Sequence, residues 1–530
     1  MILAAAGLGR VAEHLGVIAA ALLAGFAVLG AGRRELDRAR ALAIGLALAA
    51  TPILLVAAIW GSPQLRSLRH HPLVGLAAIL AALAAVGVLA VVISRRPWAL
   101  PLLAVAALPF RVPISSGGDT SNLLIPLYAV VAAGTVVLIA RVLRGSPVDS
   151  DEPAAGMLEW ALVGSVLLYA VQATYSQDFT KALEQIVFFY IPFALLFVLL
   201  RRIDWSGRLL VTCLGVLVGL ALVFAFVGFG EYASRGLLLN PKVISSNMVE
   251  SYFRVNSLFY DPNIYGRFLA VVMLLLSTAM LWGRTRRDVL AAAACLTVLW
   301  GALMTSISQS SIAALVLGLG VLAALRWNPR RTAAIGVALV LAGGVFVVLD
   351  GSSVRVDLSS SRGADQATTG RFDLVKGGVD LFAQRPLQGY GAGSFAVAYR
   401  AHEGSSSDAE SASHTIPITV AAEQGLIGLA VYLVLLSAAF ARLFGGGVRS
   451  SPARVALATA FAALVVHTMA YADFLEDPIT WTLLGIGAAL AAAATRDPVV
   501  APSLRDPGGV ASRAGPGGVG EPGGATPLVA

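Results

Sequence analysis

Apolar stretches recur about fifteen times along this chain, at 15–30, 41–60, 73–94, 98–110, 123–142, 157–174, 186–200, 209–229, 264–283, 289–307, 312–326, 332–349, 424–443, 455–472 and 480–495. Most approach the roughly 20 residues that a helix needs to cross the hydrocarbon core of a bilayer. Lipid offers the backbone no hydrogen-bonding partner, so each stretch must form a helix or a strand of a closed barrel. The runs are unbroken Leu, Ala and Val, which excludes the alternation of a barrel strand. The sequence therefore predicts an all-α fold, a polytopic transmembrane bundle of about 12–15 helices. The run at 98–110 is short, holds Pro101 and Pro109, and reads as a candidate re-entrant segment. The first run reads as a retained helix, without a small-residue cleavage site after it.

Charged residues make up 13% of the chain and hydrophobic ones 58%, where a soluble domain carries about 25% charge. A soluble enzyme is excluded on that ground. The formal charge of +8 fits basic cytoplasmic connections and contacts with anionic membrane lipids. No basic patch with interleaved aromatics points to nucleic acid. Cys213 and Cys295 both lie in apolar runs and suggest neither a disulfide nor a zinc site.

Arginines cluster in alternate connections, among them Arg33/Arg34/Arg38/Arg40, Arg95/Arg96, Arg201/Arg202/Arg208, Arg284/Arg286/Arg287, Arg326/Arg330/Arg331 and Arg442/Arg449/Arg454. These are expected in the cytoplasm. Segments 61–72, 111–122, 175–185, 230–263, 308–311, 350–415 and 473–479 are then expected to face outward. The chain divides into a helix bundle (1–349), a large outward loop (350–415), further membrane helices (416–495) and a Pro/Gly-rich cytoplasmic tail (496–530) that lacks the apolar residues to fold.

Loops beyond about 15 residues are usually functional or disordered. The large one begins with a Ser/Gly/Asp-rich stretch. From Arg371 it changes to RFDLVKGGVDLFAQ, in which Phe372, Val375, Val379 and Phe382 recur at helical spacing. An amphipathic helix is expected there, weakened by Gly377 and Gly378, ended by Pro386, and followed by the glycine-rich turn QGYGAGSF. That turn lacks the strand and βαβ frame of a dinucleotide fingerprint. No Walker sequence and no His/Cys metal spacing is visible. Neither an ATP-driven pump nor a nucleotide-sugar transferase is therefore expected, and no cofactor or obligatory metal is predicted.

The chemistry-bearing residues gather near the outward loops. His414, just before an apolar span, is either a polar interface residue or a base and phosphate contact. Glu423 is either a favourable charge at a helix N-terminus or a functional carboxylate at membrane depth. Arg371, Arg385 and Arg400 lie in the large loop, and Arg254 and Arg267 in RVNSLFYDPNIYGRFLA. A guanidinium suits phosphate through paired hydrogen bonds, although Arg267 can equally snorkel to headgroups.

Arg371, the amphipathic helix, RPLQGYGAGSF, His414, Glu423, Gly425 and Gly428 occur in that order before a long apolar helix. This pattern resembles the shared region of the O-antigen ligase and O-antigen polymerase family. The segment RVNSLFYDPNIYGRFLA is similar to that family's R-x-x-G-f-x-x-P-N stretch, and SISQSSIAALVLGLG sits where many members carry SRg. The resemblance covers about residues 250–440. The chain departs from it at Thr415, where Asn follows the family histidine, at Ser257, where Gly is usual, and at Gln309-Ser310-Ser311, where the SRg arginine is missing.

The resemblance implies glycosyl transfer on the outer face of the cytoplasmic membrane. The donor would be a glycan on undecaprenyl diphosphate, and the acceptor a lipid-A core or other sugar, a second lipid-linked unit or a protein hydroxyl. It implies that Arg371 and Arg254, with Arg267, Arg385 and Arg400 as further diphosphate contacts, stabilise the leaving group. His414 would act as base and Glu423 would orient the site. Preservation of activity in strong chelator is expected, and its loss would overturn the metal-free expectation. A flippase for lipid-linked oligosaccharide is the competing class, but it should place charge at mid-membrane depth in broken, symmetry-related helices.

Overall fold

The structure is a computed structural model that describes residues 2–29, 34–59, 71–116, 119–144, 155–239, 243–244, 247, 253–327, 330, 371–403, 413 and 415–496. Its elements in chain order are α1 (Ile2–Leu29), α2 (Arg34–Ile59), α3 (Pro72–Arg95), α4 (Ala99–Ala107), β1 (Val112–Ser116), β2 (Asp119–Leu123), α5 (Ile125–Leu143), α6 (Met157–Ala173) and α7 (Phe179–Arg201). There follow α8 (Gly207–Ser234), α9 (Pro262–Leu281), α10 (Arg286–Ser306), α11 (Gln309–Arg326), α12 (Arg371–Gln384), α13 (Phe395–Glu403), α14 (Ile416–Phe444), α15 (Pro452–Thr468) and α16 (Pro478–Arg496).

Among the described residues, nine helices are long and apolar enough to cross a membrane, and three shorter apolar segments lie at Glu13–Leu29, Met157–Ala173 and Pro452–Thr468. The chain is a multi-pass, essentially all-helical membrane protein. The expected span at 332–349, the polar start of the large loop, His414 and the tail beyond 496 lie outside the described residues.

Burial sorts the helices. α7 and α9 are enclosed by protein along most of their length, whereas α3 exposes Leu73, Ile79, Leu80, Leu83 and Val88. α3 packs mainly on α5, so its other faces meet lipid. The re-entrant candidate is α4, a short helix packed against α5 and α8.

Two local features depart from the sequence reading. The segment expected as a plain outward connection at 111–122 contains a hairpin, β1 antiparallel to β2, with Val112 opposite Leu123. The amphipathic helix forms as α12, but it rotates a different face inward. Leu374, Gly377, Gly378 and Leu381 are buried, while Val379 is 45% exposed. The two glycines explain this. A Cβ at Gly377 would enter the ring of Tyr399, and one at Gly378 would meet Ile418 and Phe395. The glycines cost helix propensity but let α12 lie close against α13 and α14.

Candidate active site

Residues 385–395 dock onto a break in α14. Gly425 holds φ 65° and ψ −163° in the middle of that helix, a region essentially restricted to glycine. The break frees carbonyls that a continuous helix would use, and the glycine-rich turn takes them. Tyr390 N–H donates to Ala422 O (3.1 Å) and Gly391 N–H to Glu423 O (2.8 Å), while Leu426 N–H donates to Pro386 O (2.7 Å). The end of α6 and the loop after it clamp the turn from the other side. Tyr175 Oη donates to Gln388 O (2.9 Å), Ser176 Oγ to Ala392 O (2.7 Å) and Gln172 Nε2 to Gln424 O (3.1 Å). Gly391 sits so close to Ser176 that a Cβ would overlap its Cα.

Glu423 completes the lock. Its two carboxylate oxygens accept from Gly393 N–H (2.9 Å) and Phe395 N–H (3.0 Å), and the side chain is 7% exposed. It holds the turn against the helix break. Glu423→Ala is expected to orphan two buried donors at about 1–3 kcal/mol each, and Glu423→Gln, which keeps one acceptor oxygen, about half as much in total. Melting temperatures of the purified variants check the order. A Glu423→Ala protein as stable as the parent would rule this role out.

Beneath the lock lies a cavity of about 410 Å³, within the roughly 300–1,000 Å³ typical of small-molecule sites. Four segments expected on the same side of the membrane converge on it. They contribute Arg111, then Lys181, Glu184 and Gln185, then Tyr260 and Asp261, then Asp473–Glu476; α14 adds Thr419, Glu423 and Tyr432. Helix α7 enters this wall through a π-turn at Ile186–Tyr190. Such a bulge leaves a carbonyl for other donors, and Tyr128 Oη donates to Phe188 O (2.6 Å). Asp178 and Asp261 fix the first turns of α7 and α9 by accepting from Lys181 N–H (3.0 Å) and Asn263 N–H (2.6 Å).

The loop between α15 and α16 forms the opposite wall and is held by side-chain donors. Thr415 Oγ1 donates to Met469 O (3.1 Å), Thr480 Oγ1 to Phe474 O (2.6 Å) and Trp481 Nε1 to Leu475 O (2.8 Å). Arg267 fastens the rest. It is 1% exposed, with Nε 2.8 Å from Asp477 Oδ2, Nη2 3.6 Å from Asp473 Oδ2, and Nη1 donating to the carbonyls of Ala472 (3.3 Å) and Asp473 (3.0 Å). Asp473 itself adopts φ 71°, a conformation tolerated because these contacts over-determine it. Within this loop, burial and the neighbouring Asp473 carboxylate push the Glu476 carboxyl well above the usual Glu range.

The residues singled out in the sequence therefore separate. Glu423 is on the cavity wall. Arg267 stands behind the wall, saturated by carboxylates and carbonyls. Arg254 is half-buried away from it, donating through Nε to Ser306 O (3.2 Å) and through Nη2 to Asn263 Oδ1 (3.3 Å). Arg385 is exposed and stacks on Tyr390, 4.4 Å from the ring centroid. Arg400 lies on α13, half-buried and engaged in contacts of its own. Arg371 opens α12. The cations that do reach the cavity, Arg111 and Lys181, were not singled out. Arg111 Nε is buried without a hydrogen-bond partner, and Lys181 Nζ lies 3.8 Å from Glu184.

Two of the three departures from the family pattern have local solutions. Ser257, at the glycine position, adopts φ 50°. Its N–H donates to Glu231 Oε2 (2.7 Å) and its hydroxyl to Phe224 O (2.8 Å), which offsets the strain. Where SRg would stand, Ser308 and Ser311 share a buried network with Asn263, and the hydroxyls of Ser310 and Ser311 lie 3.2 and 3.1 Å from His467 Nε2.

No curated protein matches the chain. Residues 294–433, which run from α10 through α12, the glycine-rich turn and its lock to the middle of α14, match the family model for O-antigen ligase, so this part of the multi-pass membrane protein is similar to that family.

Proposed function

We propose that the protein is a glycosyltransferase that moves a glycan from undecaprenyl diphosphate to a sugar or lipid-linked acceptor, on the outward face of the bacterial inner membrane. One observation carries this reading: the matched ligase segment, through α14 and the Glu423 that locks the glycine turn, forms a wall of the polar cavity. The orientation rests on charge. α7, α9 and α14 begin at the cavity and end beside Arg201/Arg202, Arg284 and Arg442, and such basic ends favour the cytoplasm.

The reaction forms a bond from the acceptor oxygen to the anomeric carbon and breaks the bond to diphosphate, which leaves with the electron pair. Arg371 and the cavity cations Arg111 and Lys181 stabilise the charge on the diphosphate, and His414 takes the proton of the acceptor hydroxyl. Arg254 and Arg267 hold the loops that shape the site, and Glu423 positions the glycine turn. No nucleotide is required, since the diphosphate linkage supplies the leaving group.

The test is glycan transfer in a host lacking its own ligase or polymerase. Wild type is expected to restore surface polysaccharide. His414→Ala is expected to lose about 10²–10⁴-fold of transfer and Arg371→Ala about 10²–10³-fold, with normal membrane insertion. Single capping in the gel pattern marks a ligase and a ladder marks a polymerase. Variants that transfer like wild type would remove both residues from the mechanism.

A further inference from the structure

α12 carries two apolar faces, and protein covers only one of them. Leu374, Gly377, Gly378 and Leu381 are buried against its neighbours. Val375, Val379 and Phe382 recur at helical spacing on the other side, where Val379 is exposed and Val375 and Phe382 are half-buried. The row runs on past the end of the helix into Pro386 and Leu387, both exposed, Leu387 by 61%. A contiguous uncovered apolar row marks a contact with a partner or a membrane.

Its surroundings say which. Leu426 N–H donates to Pro386 O (2.7 Å), and the Leu387 carbonyl lies against Gly425, so the turn abuts α14 beside Leu426 and Ile427. Both of these are exposed, and so are Leu433 and Val434, two turns further along the same face. α14 is long and apolar enough to cross the membrane, so this face meets lipid, and the row on α12 and the turn is continuous with it. The exposed ring of Tyr175 stands on the other side of the turn, its hydroxyl donating to Gln388 O (2.9 Å), an arrangement that suits the boundary between headgroups and acyl chains.

Depth follows from the same contacts. Gly378 lies against Ile418, and Leu387 against Gly425, so α12 descends along α14 towards the membrane interior. Arg442 marks the basic end of α14. From there the helix rises about 36 Å to Ile418 and about 24 Å to Leu426, against about 30 Å of hydrocarbon. Val379, beside Gly378, therefore stands at headgroup level, and Leu387 about 6 Å inside the acyl region. Arg385, exposed and stacked on Tyr390, keeps its charge at the phosphates by snorkelling.

We propose that the end of α12 and the Pro386–Leu387 turn form a wedge inserted into the cavity-side leaflet, with lipid acyl chains covering Leu387 and the headgroup boundary covering Val379. The large loop is thus a membrane-bound element outside the spanning helices. Through Glu423, which holds the turn, the wedge ties the cavity wall to the leaflet. This contact stands whether or not the protein transfers glycans.

The test uses the full chain in nanodiscs at one copy per disc, with Cys213 and Cys295 replaced by alanine and one polarity-sensitive fluorophore attached through Leu387→Cys, Val379→Cys, Asp373→Cys or Leu433→Cys. Asp373 is exposed on another side of α12 and serves as the water reference, and Leu433 as the deep lipid reference. Quenching is read with aqueous iodide, and with lipids carrying a nitroxide near the headgroup or near the acyl-chain methyl end. At Leu387 iodide quenching is expected to be at least about threefold weaker than at Asp373, and the shallow nitroxide is expected to quench it more than the deep one, as fits burial about 5–10 Å into the boundary. Val379 is expected between Leu387 and Asp373, and Leu433 to respond most to the deep nitroxide. Iodide quenching at Leu387 equal to that at Asp373 would place the turn in water and overturn the inference. Shielding from iodide without quenching by either lipid would show a protein cover and overturn it as well. The readout does not involve glycan transfer, so failure of the wedge and failure of the transferase reading are separate results.

Discussion

Arg267→Ala is expected to destabilise the protein by about 3–5 kcal/mol, the usual consequence of breaking a buried ion pair from one side. The guanidinium holds two carboxylates and two carbonyls of a single loop, and Asp477 is fully buried. Without the arginine, that carboxylate has no cation in a low-dielectric surround. Arg267→Lys is expected to recover only part of the loss, because a single ammonium cannot span the same fork of acceptors. Removing both charges in Arg267→Leu/Asp477→Leu is expected to be milder than Arg267→Ala alone. Denaturation midpoints of the four proteins form the test. An Arg267→Ala protein with the parental midpoint would show that the loop does not depend on the clamp. Because Asp473, Phe474 and Glu476 line the cavity, glycan transfer should fall together with stability.

Gly425→Ala is expected to be comparably severe. The residue's backbone lies where a side chain costs about 1–3 kcal/mol, and its Cβ would fall on the Leu387 carbonyl, a backbone group that cannot swing aside. Accommodation requires the turn to lift off α14, with loss of the Gly391–Glu423 and Leu426–Pro386 hydrogen bonds. A total of about 3 kcal/mol or more is expected, since overpacking adds to strain. Gly219→Ala, in α8 with nothing within 4 Å of a Cβ, provides the contrast. There, alanine should be neutral or stabilising by up to about 1 kcal/mol. Similar behaviour of the two variants would mean that the helix break is not required.

The membrane helices were legible because lipid leaves one solution for a long apolar run. The arginine clusters marked the helix ends opposite the cavity for an equally general reason. Arg201 pairs with Glu159 at 3.4 Å and Arg40 donates to Ala27 O at 2.8 Å, so some of these arginines also tie helices together, which their positions alone did not reveal.

The glycine turn was visible as a motif but its work was not. Its partners lie at Ser176 and at the Gly425 break, and no local pattern announces a contact across more than 200 residues. The inward face of α12 was misread because glycine counted only as a weak helix former. At Gly377 and Gly378, its small size sets the packing distance. Arg111 and Lys181 escaped notice as lone cations in short connections. One signal was available. The loop YADFLEDP places three acids between two apolar helices, and such charge beside a membrane needs partners or a polar cavity. Arg267 and the cavity supply both.

The central claim is that this cavity serves transfer from a lipid diphosphate. The most direct measurement is reconstitution of purified protein in liposomes with an undecaprenyl-diphosphate-linked oligosaccharide and a sugar-terminated acceptor, without nucleotide, reading both glycosylated acceptor and released undecaprenyl diphosphate. The account predicts equal amounts of the two products, lost together in His414→Ala and Arg371→Ala. Movement of intact donor between leaflets with no released undecaprenyl diphosphate would contradict it and identify a flippase instead.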